Sequence, residues 1–315
     1  MRLFNSSNFQ PLLLSGFSGL EAYHPHISIL FCVLYLIAIF GNNSILTVIW
    51  VEQSLHEPMY FFLSMLAVSD LGLCATTLST MLKLFLFNAR EINFDACLAQ
   101  MYFIRIFSMM ESGILLSMAF DRYVAISNPL RYTAILNSST RLKFSVGFVL
   151  RVITVLIPAP VLIKQLKFCE ANVLSHSYCL HPDIIKLSCS DHSINSILGL
   201  TVIIITFGVD SVLILLSYVK ILFTVLGIAS QEERVKALNT CVSHICAVLL
   251  VYIPMLGKSI IHCFGKHAPP VVHVIMGYVY LLVPPVLNPV VYGIKTHEIR
   301  THLLDIFKKI SKNVY

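Results

Sequence analysis

Charge is what this sequence has least of. Asp, Glu, Lys and Arg make up 12% of its 315 residues, against 57% hydrophobic, where a soluble domain carries about 25% charged residues. That deficit excludes a water-soluble globular chain. Internal repeats are missing, and with them the sequence symmetry common in transporters. There is no low-complexity tract. The first 26 residues lack a basic start, an apolar core and a small-residue cleavage site in sequence, so no signal peptide is expected. No two-histidine-and-glutamate zinc motif occurs: His244 and Cys246 are two apart and point to different faces of a helix. No Ser–His pair is placed for nucleophilic work, so the chain is not expected to be an enzyme. The net charge of +6 comes from scattered bases not interleaved with aromatics, which argues against a nucleic-acid surface.

What the sequence does have is apolar length. A spanning helix needs roughly 20 apolar residues, and seven such stretches can be counted: Ile27–Trp50, Pro58–Leu82, Leu98–Ile126, Phe144–Ile163, Ile197–Val225, Leu238–Ile261 and Val271–Ile294. The predicted fold class is an all-α membrane protein, a seven-helix transmembrane bundle. Residues 1–26 form its outer end, 27–294 the bundle and 295–315 an inner tail. Basic residues set the orientation. With the N-terminus outside, 12 of the 22 Lys and Arg fall in the inner loops and tail and seven in the outer segments, in line with the positive-inside bias. Asn5-Ser6-Ser7 is then a glycosylation acceptor pattern on the outer face. Beyond the last stretch, Ile299, Leu303, Phe307 and Ile310 recur at helical intervals. Arg300, Lys308 and Lys309 lie on other faces, as in a short amphipathic helix on the inner leaflet.

Four of the nine cysteines cluster on the outer side: Cys97, Cys169, Cys179 and Cys189. An even set in an oxidising compartment argues for two bridges. Three pairings are possible, and Cys97–Cys179 with Cys169–Cys189 is the expected one. The first bridge would pin the long outer loop to the top of the third helix, and the second would cross-link the loop to itself.

Ionic groups inside the bilayer are costly and point to function. Asp70 and Glu111 lie mid-span in the second and third stretches. Facing each other, they would share a proton or hold a cation. A sodium ion is the expected occupant, the only cofactor expected. The alternative is a protonated carboxyl bonded to Asn42, Asn288 or Ser112. Asp121-Arg122-Tyr123 ends the third stretch, with Arg122 expected to pair with Asp121 at rest. Tyr218 and Tyr292 are the hydroxyls most able to approach Arg122 after a rearrangement. Pro254 interrupts the sixth stretch and permits a kink, two residues after Tyr252. Asn288-Pro289-Val290-Val291-Tyr292 closes the seventh. Arg105 lies about 12 Å below Cys97 on a helical rise, on one stripe with Met101, Ser108, Met109 and Ser112. Internal pairing of Arg105 with Glu111 or Asp183 is the alternative to a ligand contact. Lys258 lies one turn past Pro254. Two bases opening on one cavity would suit an anionic or strongly hydrogen-bond-accepting ligand. Arg151 reads as structural.

Four stretches carry a family resemblance: His56-Glu57-Pro58-Met59-Tyr60-Phe61-Phe62-Leu63, Met118-Ala119-Phe120-Asp121-Arg122-Tyr123-Val124-Ala125-Ile126, Lys236-Ala237-Leu238-Asn239-Thr240-Cys241-Val242-Ser243-His244-Ile245 and Pro285-Val286-Leu287-Asn288-Pro289. Together they resemble the rhodopsin-like G protein-coupled receptors and, within them, the olfactory receptors. Ser127-Asn128-Pro129-Leu130-Arg131-Tyr132, Met109-Met110-Glu111-Ser112 and Ser177-Tyr178-Cys179-Leu180-His181 are most similar to the fish-like class I branch. The resemblance implies a multi-pass plasma-membrane receptor that couples an odorant-like ligand to a stimulatory olfactory G protein and raises cyclic AMP. Class I members often respond to carboxylic acids and other polar volatiles.

Two departures stand out. Tyr252 replaces the usual tryptophan of helix six, as is common among olfactory receptors. Where many class I relatives read His-Arg-Phe-Gly, this chain reads His262-Cys263-Phe264-Gly265. The guanidinium that could hold a carboxylate is missing there. Either Arg105 supplies it from another helix or the ligand is neutral. The expected pocket lies under the outer loop and draws on Arg105, Ser108, Met109, His181, Val202, Thr206, Met255, Lys258, Ser259 and Tyr278. Agonist contacts would rotate helix six about Pro254 and open an inner groove for the G protein beside Arg122 and Lys236. A receptor of the same fold for a non-olfactory metabolite is the alternative, with a membrane transporter as the more distant one.

Overall fold

The computed structural model describes residues 11–16, 24–168, 172–264, 270–296 and 298–304. At Thr240, residues 260–264, Pro270 and Lys295 only the backbone is described. Seven helices in it are long and apolar enough to cross a membrane. They run His24–Val51, Pro58–Phe87, Phe94–Ser127, Ser138–Lys164, Ser193–Leu226, Gln231–Phe264 and Pro270–Lys295. Most outlast the apolar runs that announce them. The second continues to Phe87 rather than Leu82, the third begins at Phe94 rather than Leu98, and the sixth begins at Gln231 rather than Leu238. Apolarity marks the hydrocarbon layer, whereas backbone hydrogen bonding carries a helix on into water.

Local chemistry fixes the ends. Asn93 caps the third span by accepting from the Asp95 amide, and Asn137 caps the fourth by accepting from the Thr140 amide at 2.9 Å. Pro58 takes the first helical position of the second span, where its missing N–H costs nothing. Asn88, with φ 50°, ends that span in the left-handed conformation.

The third span is the axis of the bundle. Its most apolar window is 61% buried, against 22% for the fourth, which lies at the edge. Large apolar side chains such as Ile29, Phe40 and Leu215 point outward, as they must when the solvent is lipid. Close approach relies on small residues. A Cβ at Gly72 would come within 2.3 Å of the Phe107 ring, so a methyl there would force the second and third spans apart. In the fifth span, residues Ile204–Gly208 form a wider π-turn. The inserted residue changes which side chains face inward below it.

Two features add to the expected architecture. A small three-stranded sheet caps the outer end of the otherwise all-α bundle. β1 (Leu12–Leu14) lies between antiparallel β2 (Glu91–Ile92) and parallel β3 (Val173–Leu174). Leu12 and Leu14 are fully buried in the outer core with Phe94 and Phe168, so part of the N-terminal segment is built into the domain. At the inner end, residues 298–304 are helical. Ile299 and Leu303 pack into the bundle core rather than facing lipid. Phe307, Ile310, Lys308 and Lys309 lie outside the described residues, as does Asn5.

Candidate functional site

Cys97 and Cys179 form a disulfide with Cα atoms 5.4 Å apart, tying the long outer loop to the third span. Cys189 is disulfide-bonded as well, and Cys169 lies outside the described residues. Gln100 reinforces the tether. Its amide donates to the Thr76 carbonyl at 2.9 Å and to Thr80 Oγ1 at 2.8 Å, while its carbonyl accepts from the Cys179 amide at 3.0 Å. Beyond the bridge a short helix, His181–Lys186, folds down over the bundle. Asp183 bonds His176 within the lid. Gly199 lets the His181 ring rest on the fifth span, since a Cβ there would stand 3.0 Å from it.

Beneath this lid is a cavity of about 310 Å³. Arg105, Ser108 and Met109 reach it from the third span, His181 from the lid and Val202 from the fifth span. Met255, Lys258 and Ser259 line it from the sixth. Two expected residues lie elsewhere. Thr206, inside the π-turn, donates to the Val202 carbonyl at 2.6 Å, and Phe207 takes the cavity wall. On the seventh span His273, Met276 and Tyr280 share the cavity face. Tyr278 stands about 200° around the helix from Tyr280 and packs against Phe31, Phe85 and Tyr178.

Two bases, Arg105 and Lys258, and one acid, Asp183, line the cavity. Among the described residues, no carboxylate lies within ion-pair distance of Arg105 or Lys258. Glu111 is engaged with Asp70 and Asp183 with His176, so neither partner considered for Arg105 is free. Lys258 Nζ stands 4.7 Å from the centroid of the Tyr280 ring, a cation–π contact that keeps the ammonium at the cavity wall. His181 Nε2 has no hydrogen-bond partner. Burial, and then the Arg105 charge, push the His181 pKa down from 6.5 to about 3, so the His181 imidazole is neutral. The folded value lies below the ordinary one. This group's contribution to stability is therefore complete above about pH 6.5 and declines as pH falls towards 3. The melting midpoint of the purified chain should drop between neutral pH and about pH 5, and His181→Gln should remove part of that drop. An unchanged slope in the variant would count against a buried neutral histidine.

Below the cavity floor runs a polar chain across four spans. Arg151 donates to both oxygens of Asp210 at 2.7 Å, Ser112 Oγ donates to Asp210 at 2.8 Å, and Ser112 lies 2.9 Å from the Tyr252 hydroxyl. Phe207 of the cavity wall stands edge-on to Tyr252 with centroids 6.3 Å apart. Tyr252 is thus held two residues before Pro254, which lies inside the sixth helix. Deeper still, Asn288 Nδ2 donates to Asp70 at 3.0 Å, and Asp70 and Glu111 hydrogen-bond each other. The expected alternatives Asn42 and Ser112 are otherwise engaged: Asn42 donates to the Ala38 and Pro285 carbonyls, each at 2.9 Å, and Ser112 serves Asp210. Pro289 packs so closely on Gly41 that a Cβ there would come within 2.8 Å.

At the inner end Arg122 pairs with Asp121 at 2.7 Å, and Tyr132 donates to the other Asp121 oxygen at 2.7 Å. Arg122 faces a cleft of about 620 Å³ that Lys236 and Tyr292 also line. Neither expected hydroxyl bonds Arg122. Tyr218 bonds His244, whose Nε2 donates to the Leu115 carbonyl at 3.0 Å, and Tyr292 points at the Met118 sulfur 3.8 Å away. Tyr123 packs against Ile221, Val225 and Cys241 under Lys220, whose Nζ stands 5.6 Å from its ring centroid.

A lidded cavity outside, a buried polar axis and a cleft inside that carries Arg122 are the parts of a receptor. The olfactory receptor family matches the chain over residues 31–310. The chain belongs to the olfactory receptor family. The human Olfactory receptor 51L1 is 53% identical over 96% of this chain and 96% of its own length, and human Olfactory receptor 51I2 is 55% identical over 98% and 99%. These relatives agree with the class I resemblance. The fold is similar to that of squid rhodopsin, with a TM-score of 0.72 over 92% of this chain and 87% of that one at 16% identity. This olfactory receptor is accordingly a multi-pass membrane protein of the G protein-coupled class, not an enzyme.

Several of the receptor's linking residues escaped the sequence reading. Asp210 is a fully buried carboxylate in the fifth span and was open to the same intramembrane-charge argument as Asp70. Gln100 and His244 gave no such signal, because an amide or imidazole in an apolar run becomes significant only when its partner on another helix is known.

Proposed function

We propose that this receptor is activated by a small polar or acidic odorant held under the outer lid, and that it raises cyclic AMP through a stimulatory olfactory G protein docked at the inner cleft. The observation that carries the ligand class is the pair of cations, Arg105 and Lys258, opening on one cavity whose single lining carboxylate, Asp183, is taken by His176. An anionic or acceptor group would supply the missing counter-charge, and the apolar wall of Met101, Met109 and Phe207 would cover the rest of a small molecule. The guanidinium absent at position 263 is thereby replaced from the third span. Agonist occupancy would favour the arrangement in which Tyr252 and the sixth span swing about Pro254, releasing Arg122 from Asp121 to the G protein.

The test is a cyclic AMP panel of short acids, alcohols, esters and ketones on cells expressing the chain. Arg105→Ala should weaken the response to an active acid by roughly 10- to 100-fold, the span of one charged hydrogen bond, and Lys258→Ala should weaken it less. Full response of both variants to every active acid would refute the anion pocket.

The Asp70–Glu111 contact also suits a sodium ion. Glu111 Oε1 and Asn288 Oδ1 are buried acceptor oxygens without partners, the donor chemistry a small hard cation takes. Asp70→Asn should abolish any sodium dependence of agonist affinity. Undiminished dependence would remove the ion from this site.

A further inference from the structure

A groove of about 1000 Å³ lies on none of the surfaces described above. It opens to lipid over the second span, between the first and fourth, in the inner half of the bundle. Its wall is apolar from Phe61 and Met65 up to Val152 and Ile153. From Arg141 to Ile153 the fourth span rises about 18 Å, close to one leaflet of a hydrocarbon core about 30 Å thick.

Charge in the groove is confined to its inner mouth. Arg141 lies there over the Phe61 ring, 5.4 Å from its centroid, and donates one hydrogen bond to Ser138 at 3.0 Å. Its Nε is buried and has no partner, and among the described residues no carboxylate pairs with it. His56 lies at the same mouth. The two nearby acids turn away: Glu52 meets His302 at 3.5 Å, and Glu57 faces the inner cleft.

We propose that this groove binds an anionic phospholipid of the inner leaflet, with its phosphate on Arg141 and an acyl chain along the wall to Ile153. The site has the polarity of such a lipid: one unpaired guanidinium at headgroup depth and an apolar channel one leaflet long. A guanidinium presents a fork of donors matched to phosphate oxygens. A sterol hydroxyl is neutral and would leave the charge at the mouth without a counter-ion.

The chain carries its own reporter. Its one tryptophan, Trp50, lines the groove mouth and is 85% exposed. The full chain is reconstituted in phosphatidylcholine bilayers with a minor fraction of either brominated phosphatidylserine or brominated phosphatidylcholine, and Trp50 fluorescence is read. Bromine on phosphatidylserine should quench more than the same bromine on phosphatidylcholine, reflecting a roughly fivefold local enrichment, the effect of one interfacial base. Arg141→Gln should erase the excess. Val149→Phe, which narrows the groove without touching charge, should reduce it, and Lys143→Gln, exposed about 200° around the fourth span from Arg141, should leave it intact. Equal quenching by the two lipids overturns the proposal, as does an excess that survives Arg141→Gln. Loss of the excess in Lys143→Gln would reduce it to diffuse surface attraction. Displacement of the brominated phosphatidylserine by cholesterol more readily than by unlabelled phosphatidylserine would assign the groove to a sterol.

Discussion

Arg151→Met is expected to be among the most damaging single changes in this receptor. It removes the two hydrogen bonds that Asp210 receives from the fourth span and leaves a fully buried carboxylate with the Ser112 hydroxyl alone. Breaking a buried pair from one side typically costs about 3–5 kcal/mol, because the remaining charge keeps its desolvation penalty and loses its compensation. The melting midpoint of the purified receptor should fall by roughly 6–12 °C. Replacing both ends, with Arg151→Met and Asp210→Leu, removes the uncompensated charge and should recover much of the loss. The double variant should nonetheless signal poorly, since Ser112 and Tyr252 lose the anchor that orients them beside Pro254. A single variant as stable as the parent would show that the pair is solvated and carries no structural weight. A double variant that signals normally would disconnect it from Tyr252.

Loss of the outer bridge should rank next. Cys97 and Cys179 are 82 residues apart, and a disulfide closing a loop of that size stabilises by about 2–4 kcal/mol. Cys97→Ser should therefore lower the melting midpoint of the purified receptor. Its effect on agonist potency should be larger than stability alone explains, because the lid brings His181, and with it the roof of the cavity, over Arg105. The expected Cys169–Cys189 link cannot substitute, since it closes within the loop and does not reach the third span. The Gln100 bond to the Cys179 amide should preserve some residual order, so Cys97→Ser together with Gln100→Ala should be worse than the sum of the two. Unaltered potency in Cys97→Ser would mean that the lid is held by packing and β1 rather than by the bridge.

Sequence alone determined the number of crossings, the outer bridge and most of the residues that reach the cavity. The reason is that lipid imposes a one-dimensional rule: backbone polar groups must be satisfied within each helix, so apolar length reads directly as a span. Ionic groups inside such a span then stand out at once, which is how Asp70, Arg105, Glu111 and Lys258 were found. Helical phase placed Ser108 and Met109 beside Arg105, because one straight helix carries all three. Phase failed at Thr206, where a π-turn shifts the face, and at Tyr278, which belongs to the opposite side of its helix from Tyr280. The partners were settled only in three dimensions. That Arg151 takes Asp210, that Tyr218 takes His244 rather than Arg122, and that Ile299 enters the core are consequences of which helix faces meet. A hydrogen bond or an ion pair belongs to two residues whose separation along the chain carries no information about their separation in space.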